Sequence, residues 1–132
     1  MKKKSKNARL KRKNEFRTHK VEIITKKGRI KKIDHPVYVF LEKGNIYIYV
    51  SITHSSKVED YIVVKLGRNP NPHDPSNAYV VLDVRCDTKS SFGGIRRGWS
   101  INEIDEKMIR NLFEGQKEKD DSPSTSNDCS SR

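Results

Sequence analysis

The chain has 132 residues, 34% of them charged and 33% apolar, with a net charge of +11. Such a length predicts one domain. No stretch approaches the ~20 apolar residues that span a bilayer, and the basic N-terminus lacks the apolar segment of a secretory signal, so a membrane partner is not expected and a cytoplasmic protein is.

The charge is unevenly placed. Residues 1–34 carry 15 Lys/Arg against 3 Asp/Glu, whereas residues 35–132 carry 13 against 14. A terminal block of like charge reads as a tail that is disordered alone and serves for interaction. Within residues 1–20 only Leu10 and Phe16 are large and apolar, so this arm is expected to bury nothing by itself. Its cations, Lys2, Lys3, Lys4, Lys6, Arg9, Lys11, Arg12, Lys13 and Arg17 among them, are candidate nucleic-acid contacts. They would displace counterions from a polyanion in a sequence-blind, salt-sensitive manner. A solubilising tail and an arm for an acidic protein partner are the alternatives.

From Val21 the pattern changes. Val21, Ile23 and Ile24 open a strand, Gly28 marks a turn, and Ile30 and Ile33 suggest a short extended piece. Pro36 to Leu41 then alternates, with Val37, Val39 and Leu41 on one face and Tyr38 and Phe40 on the other. After a turn at residues 42–45, Ile46 to Thr53 alternates again, Ile46, Ile48, Val50 and Ile52 against Tyr47, Tyr49, Ser51 and Thr53. Two alternating runs about a Gly-containing turn predict an antiparallel hairpin. Tyr61 to Leu66 and Tyr79 to Val84 are further strands. The three prolines within residues 68–77 forbid a ladder there, and that segment reads as an ordered surface loop. Cys86 to Gly98 reads as a polar, glycine-rich connection. Ser100-Ile101-Asn102-Glu103 is a capping box, with Trp99 placed to staple onto Ile104, and Ile101, Ile104, Met108, Leu112 and Phe113 form one apolar helix face ending near Gly115.

The expected fold is therefore mainly β, a small curled antiparallel sheet with one C-terminal helix, closed as an SH3-like barrel or left as an open α+β sheet. The expected organisation is a disordered arm over 1–20, a globular domain over 21–115 and a disordered tail over 116–132. Cys86 and Cys129 show neither a metal spacing nor a disulfide framework, which fits a reducing compartment. No metal and no cofactor is expected.

The segment Ile52-Thr53-His54-Ser55 is the most chemically suggestive. Thr53 and Ser55 can donate hydrogen bonds to a phosphate, and His54 can transfer a proton near neutral pH. Stepping six residues outward from the turn pairs His35 with Ile52, so the hairpin itself brings His35 beside Thr53 and His54. The opposing reading is that both histidines merely solvate strand ends. Arg96 and Arg97, beside Gly93, Gly94 and Gly98, offer fork-shaped phosphate contacts, or else belong to a plain linker. Tyr38, Phe40, Tyr47 and Tyr49 either form a stacking platform for unpaired bases or fill the core. Asn69, Asn71, His73 and Asp74 make the proline-rich loop a weaker candidate for recognition.

His35-Pro36-Val37-Tyr38-Val39, followed by a strand ending Ile52-Thr53-His54-Ser55, resembles the first hairpin of the MazF/PemK-type toxins. The resemblance covers roughly residues 28–56. It implies an SH3-like barrel, a homodimer, an antitoxin partner and metal-independent cleavage of single-stranded RNA, with Thr53 in the position of the threonine that contacts the scissile phosphate. His35 stands where the family often has a catalytic Arg, so a permanent charge is replaced by a titrating one. The chain also resembles small proteins carried by mobile elements of low-GC Gram-positive bacteria. The functional expectation is thus an RNA-directed protein, in one form an endoribonuclease toxin using His35, Thr53 and His54. In the other form it is a non-catalytic nucleic-acid or ribonucleoprotein-binding accessory or inhibitor protein.

Overall fold

Because large side chains alternate on both faces of residues 37–52, the central hairpin must be covered on both sides, and the fold is built outward from it. The computed structural model of the protein describes residues 9–58 and 60–119. Among the described residues there are six strands: β1 (Leu10–Ile24), β2 (Ile30–Lys43), β3 (Ile46–Thr53), β4 (Val63–Lys65), β5 (Tyr79–Val81) and β6 (Arg85–Thr88). One helix follows, α1 (Glu103–Lys119). The sheet is antiparallel in the order β1-β2-β3-β5-β4, with β6 also paired to β3. β3 shares its outer edge between β6, along Ile46–Tyr49, and β5, at Ile52 and Thr53. That division curls the sheet into a half-barrel, so the fold is mainly β with a single C-terminal helix.

The hairpin alternation is as expected. Tyr38, Phe40, Ile48, Val50 and Ile52 join Phe16, Leu66, Ala78, Val80 and Ile109 in a core beneath α1. Val37, Val39, Tyr47 and Tyr49 form a second cluster with Phe92 on the opposite face. Leu41 departs from the expected face and packs on the helix side, because the β2–β3 register slips by one residue between Val39 and Leu41. The turn is also tighter than expected: Glu42 and Lys43 stay in β2, and only Gly44 and Asn45 turn, with Gly44 at φ 57°. The aromatic residues fill these two clusters, which leaves no exposed stacking platform at Tyr38, Phe40, Tyr47 or Tyr49.

The largest correction concerns the arm. Leu10–Ile24 is one strand paired with β2 over its length, so residues 10–20 belong to the folded domain. Phe16, only 2% exposed, is the reason: it packs between Tyr38 and Trp99 in tilted contacts, at ring separations of 4.8 and 5.6 Å. The segment read as a connection also has structure. After β6 a single 3₁₀ turn (Lys89–Ser91) returns the chain to the outer edge of β1. There Phe92 bridges His19, the Gly93 amide donates to the Thr18 carbonyl (2.8 Å) and the Arg96 amide to that of Phe16 (2.7 Å). Gly93 is a close-approach glycine, since a Cβ would collide with the Thr18 hydroxyl.

The expected strands at Tyr61–Leu66 and Tyr79–Val84 are each trimmed to three residues. The helix starts two residues later than the capping box implies. Asn102 accepts from the Ile104 amide (2.7 Å) and caps α1, while the Ser100 amide is taken by Pro70. Ile104 is 77% exposed, and Trp99 packs on Phe16 instead of stapling it; Ile109 fills the core in its place. Asp105 is buried, and both its oxygens accept the Gly67 amide (3.0 and 2.9 Å), tying α1 to the strand layer. Gly115 lies inside the helix, which carries on to Lys119, into the segment expected to be disordered. The rest of that expected tail, 120–132, lies outside the described residues. Cys86 is disulfide-bonded, whereas the sequence reading expects no disulfide framework. Among the described residues no helix is long and apolar enough to cross a membrane.

Candidate functional site

Three strands deliver histidines to one end of the curled face. His19 on β1 and His35 on β2 are direct cross-strand partners. Val37 pairs with Ser51, which carries His35 level with Thr53, one residue from the expected partner Ile52. The tighter turn, which pairs Lys43 with Ile46, would by itself set His35 opposite His54, and the one-residue slip near Leu41 brings it back to Thr53. His54 follows Thr53 immediately, as β3 ends.

His35 is partly buried, and burial pushes its imidazole pKa below the ordinary value. A hydrogen bond to the Ile52 backbone opposes that shift, while the neighbouring His19 and His54 reinforce it. The pair His35 and His54, brought together by hairpin geometry in the sequence reading, are therefore near enough to influence each other's charge.

Each flanking histidine is held by a carboxylate. His19 Nε2 lies 2.9 Å from Asp87 Oδ2, and its ring sits between Tyr49 and Phe92 at 4.9 and 4.8 Å. Its side chain is 12% exposed. Burial raises the Asp87 pKa, but hydrogen bonds from His19, the Thr88 amide and Ser91 outweigh it and hold the carboxyl below its ordinary value. Burial likewise pushes the Tyr49 phenol up to about 12. A cleft of about 320 Å³ opens here, lined by Thr18, His19, Lys20, Asp87 and Ser90 among others. His54, which is exposed, has Nε2 2.7 Å from Asp74 Oδ2. Asp74 is held well below the usual carboxylate range, first by the Ser76 hydroxyl and amide and then by His54. The proline-rich loop thus reaches the site through Asp74, and its Asn69 and Asn71 side chains are spent on turns within the loop.

The hydroxyls differ in availability. Thr53 Oγ1 accepts the Ser55 amide (3.1 Å), which leaves its proton to donate. Ser55 Oγ donates to the Lys57 carbonyl (2.6 Å) and accepts the Lys57 amide (3.2 Å), so it serves its own turn.

The arginine pair is not gathered at this end. Arg96 stacks on Trp99 at 4.9 Å, on the helix side of the sheet, and its Nε is buried without a hydrogen bond. Arg97 is exposed. Of the arm cations, Lys2, Lys3, Lys4 and Lys6 lie outside the described residues. Arg9 and Lys11 are exposed. Arg12 pairs with Glu106 (3.0 Å), Lys13 with Glu15 and Glu42 (3.0 and 3.6 Å), and Arg17 with Glu15 (2.9 Å) and the Gly93 carbonyl. Arg17 also covers the Tyr47 ring at 5.1 Å. These last three neutralise acids of the fold as much as they offer charge outward.

Sequence reasoning missed His19 and Asp87, and it placed Asp74 only in a weaker recognition loop, without its contact to His54. A weak signal existed for His19, since no Pro or Gly separates Leu10 from Val21 and a strand beginning at Val21 extends backward without a break. Nothing local marks Asp87, and nothing local pairs Asp74 with His54, since both contacts depend on strand and loop placement. Comparison with protein-family models, with curated proteins and with solved structures finds no match for this chain.

Proposed function

We propose that this protein is RNA-directed and cleaves single-stranded RNA without a metal, through the histidines at the end of the hairpin. The observation that carries the reading is His35, with its lowered pKa, set opposite His19 and near a second histidine, His54, that is bound to a carboxylate. Cleavage needs one neutral and one protonated group. Neutral His35 takes the proton of a ribose 2′-hydroxyl, whose oxygen attacks the adjacent phosphorus. The bond from phosphorus to the 5′-oxygen breaks, and that oxygen takes a proton from His54, which Asp74 holds at 2.7 Å. The products are a 2′,3′-cyclic phosphate and a 5′-hydroxyl. The Thr53 hydroxyl donates to a non-bridging phosphate oxygen. The resemblance of this hairpin to MazF/PemK-type toxins supports the same reading, and with it a homodimer and an antitoxin partner.

The test is incubation of the full chain with a long single-stranded RNA in EDTA. Discrete fragments ending in cyclic phosphate are expected, with losses of on the order of 10²-fold or more for His35→Ala and His54→Ala. RNA that is shifted in a gel but never cut removes the enzyme reading. It would leave the second reading, a non-catalytic nucleic-acid binder, which the exposed cations Lys26, Lys27, Arg29 and Lys31 favour.

A further inference from the structure

The longest strands of the molecule outrun the sheet that they belong to. β3 ends level with His35, and the edge segment begins at the His19–Phe92 bridge. From Lys20 and Asp34 onward, β1 and β2 therefore pair only with each other, down to Ile24 opposite Ile30. The Thr25–Arg29 turn closes this ribbon, with the Thr25 amide on the Arg29 carbonyl (2.8 Å), the Gly28 amide on the Thr25 carbonyl (2.9 Å) and Gly28 at φ 80°. Five residue pairs at strand spacing project it about 15 Å beyond the body.

Its surface is unlike that of the rest of the domain. Residues 20–34 hold six Lys/Arg and two Asp/Glu. One of those acids, Asp34, is matched to Lys20 at 3.5 Å. Lys26, Lys27, Arg29 and Lys31 are exposed and have no acidic partner among the described residues. The last cross-strand pair is apolar, and Ile24 and Ile30 stand 76% and 68% exposed at the tip. Neither belongs to a core cluster.

We propose that this ribbon is a docking arm for duplex DNA, inserted into the major groove. The B-form major groove, about 12 Å wide, admits a two-stranded ribbon. The narrow major groove of A-form RNA does not. Lysines and arginine on the ribbon reach the phosphates on either wall, and the Ile24–Ile30 tip meets thymine methyl groups on the groove floor. The described ribbon residues include no aromatic side chain, so stacking of unpaired bases is not its mode of binding. The proposal does not depend on the histidine chemistry and stands or falls separately from it.

The experiment measures fluorescence anisotropy of the full chain with a DNA duplex, an RNA duplex of the same sequence and single-stranded RNA, at low and at physiological salt. The variant is Lys26→Ala/Lys27→Ala/Arg29→Ala/Lys31→Ala, all exposed positions. Wild type should prefer the DNA duplex, and the variant should lose on the order of tenfold or more on it, with the salt slope falling by about three to four. A second variant, Ile24→Ala/Ile30→Ala, should weaken DNA binding without changing the salt slope. The proposal is overturned if the charge variant binds DNA like wild type, or if it loses equally on both duplexes. It is also overturned if polyglutamate or phosphatidylserine vesicles displace the DNA in a ribbon-dependent way, which would assign the ribbon to an acidic protein or a membrane surface.

Discussion

His35 shows how one residue links stability to chemistry. Its ring is pulled from water by the curl of the sheet, and its lowered pKa makes protonation costly in the folded state. The unfolded chain binds that proton more readily, so below the ordinary value of 6.5 the unfolded state gains. The contribution of His35 to stability is therefore present above pH 6.5 and is lost as pH falls through its lower folded value. Thermal unfolding from neutral pH into that interval should show a falling Tm for wild type and a shallower fall for His35→Gln; equal slopes would remove burial of His35 as the cause. The same neutral imidazole is what a general base at this position needs. Asp74 and Asp87 each lie at hydrogen-bond distance from a histidine Nε2, and that bond helps hold each carboxyl below its ordinary value.

At the level of elements, the two register slips of the sheet find their counterpart in one side chain of the helix. β1 slips between Arg12 and Glu15, and β2 against β3 between Val39 and Leu41. Such irregularities leave carbonyls without ladder partners. Arg110 donates to the Lys13 carbonyl (3.0 Å) and the Phe40 carbonyl (2.8 Å), while Glu106 on the previous turn holds its guanidinium. One arginine thus docks α1 and satisfies both irregular stretches. Arg110→Ala should cost about 3 kcal/mol in a denaturant titration, more than an exposed ion pair supplies, because it strands charged-group hydrogen bonds in a partly buried site. A loss below 1 kcal/mol would show that water replaces the guanidinium there. Arg110→Lys should recover only part, since an ammonium cannot span two carbonyls and a carboxylate as a planar fork does.

For the whole molecule, β1 has two duties. Its central part carries Phe16 into the core and offers its outer edge to residues 92–96, and its far part forms the basic ribbon. Removing residues 1–8 should leave the fold intact. Removing residues 1–20 should unfold the protein, as should Phe16→Ala to the extent of about 3–5 kcal/mol. Circular dichroism of the two truncations separates the cases, and a folded 21–132 fragment would show that β1 is dispensable. The consequence for function is practical: loss of nucleic-acid binding on deleting residues 1–20 would report unfolding as readily as loss of charge.

The central hairpin was legible from residues alone, because a period of two with large side chains on both faces has few other solutions, and its register brought His35 to Thr53 within one residue. The helix was legible as an element, but its cap was not. Ser100 and Asn102 are both good caps locally, and the choice fell to Asn102 because Pro70 takes the Ser100 amide and Gly67 anchors Asp105. β1 was illegible because its strand state is owed to partners far along the chain: ten cations around one phenylalanine look like a tail until β2 supplies the ladder and Trp99 the cover. For the same reason the alternation of residues 37–52 was determined by sequence, whereas the meeting of His19 with Asp87, and of His54 with Asp74, was decided only by tertiary structure. Neither pair shares a strand, and each forms where curling of the sheet or folding of a loop sets two polar residues that are distant along the chain at hydrogen-bond distance.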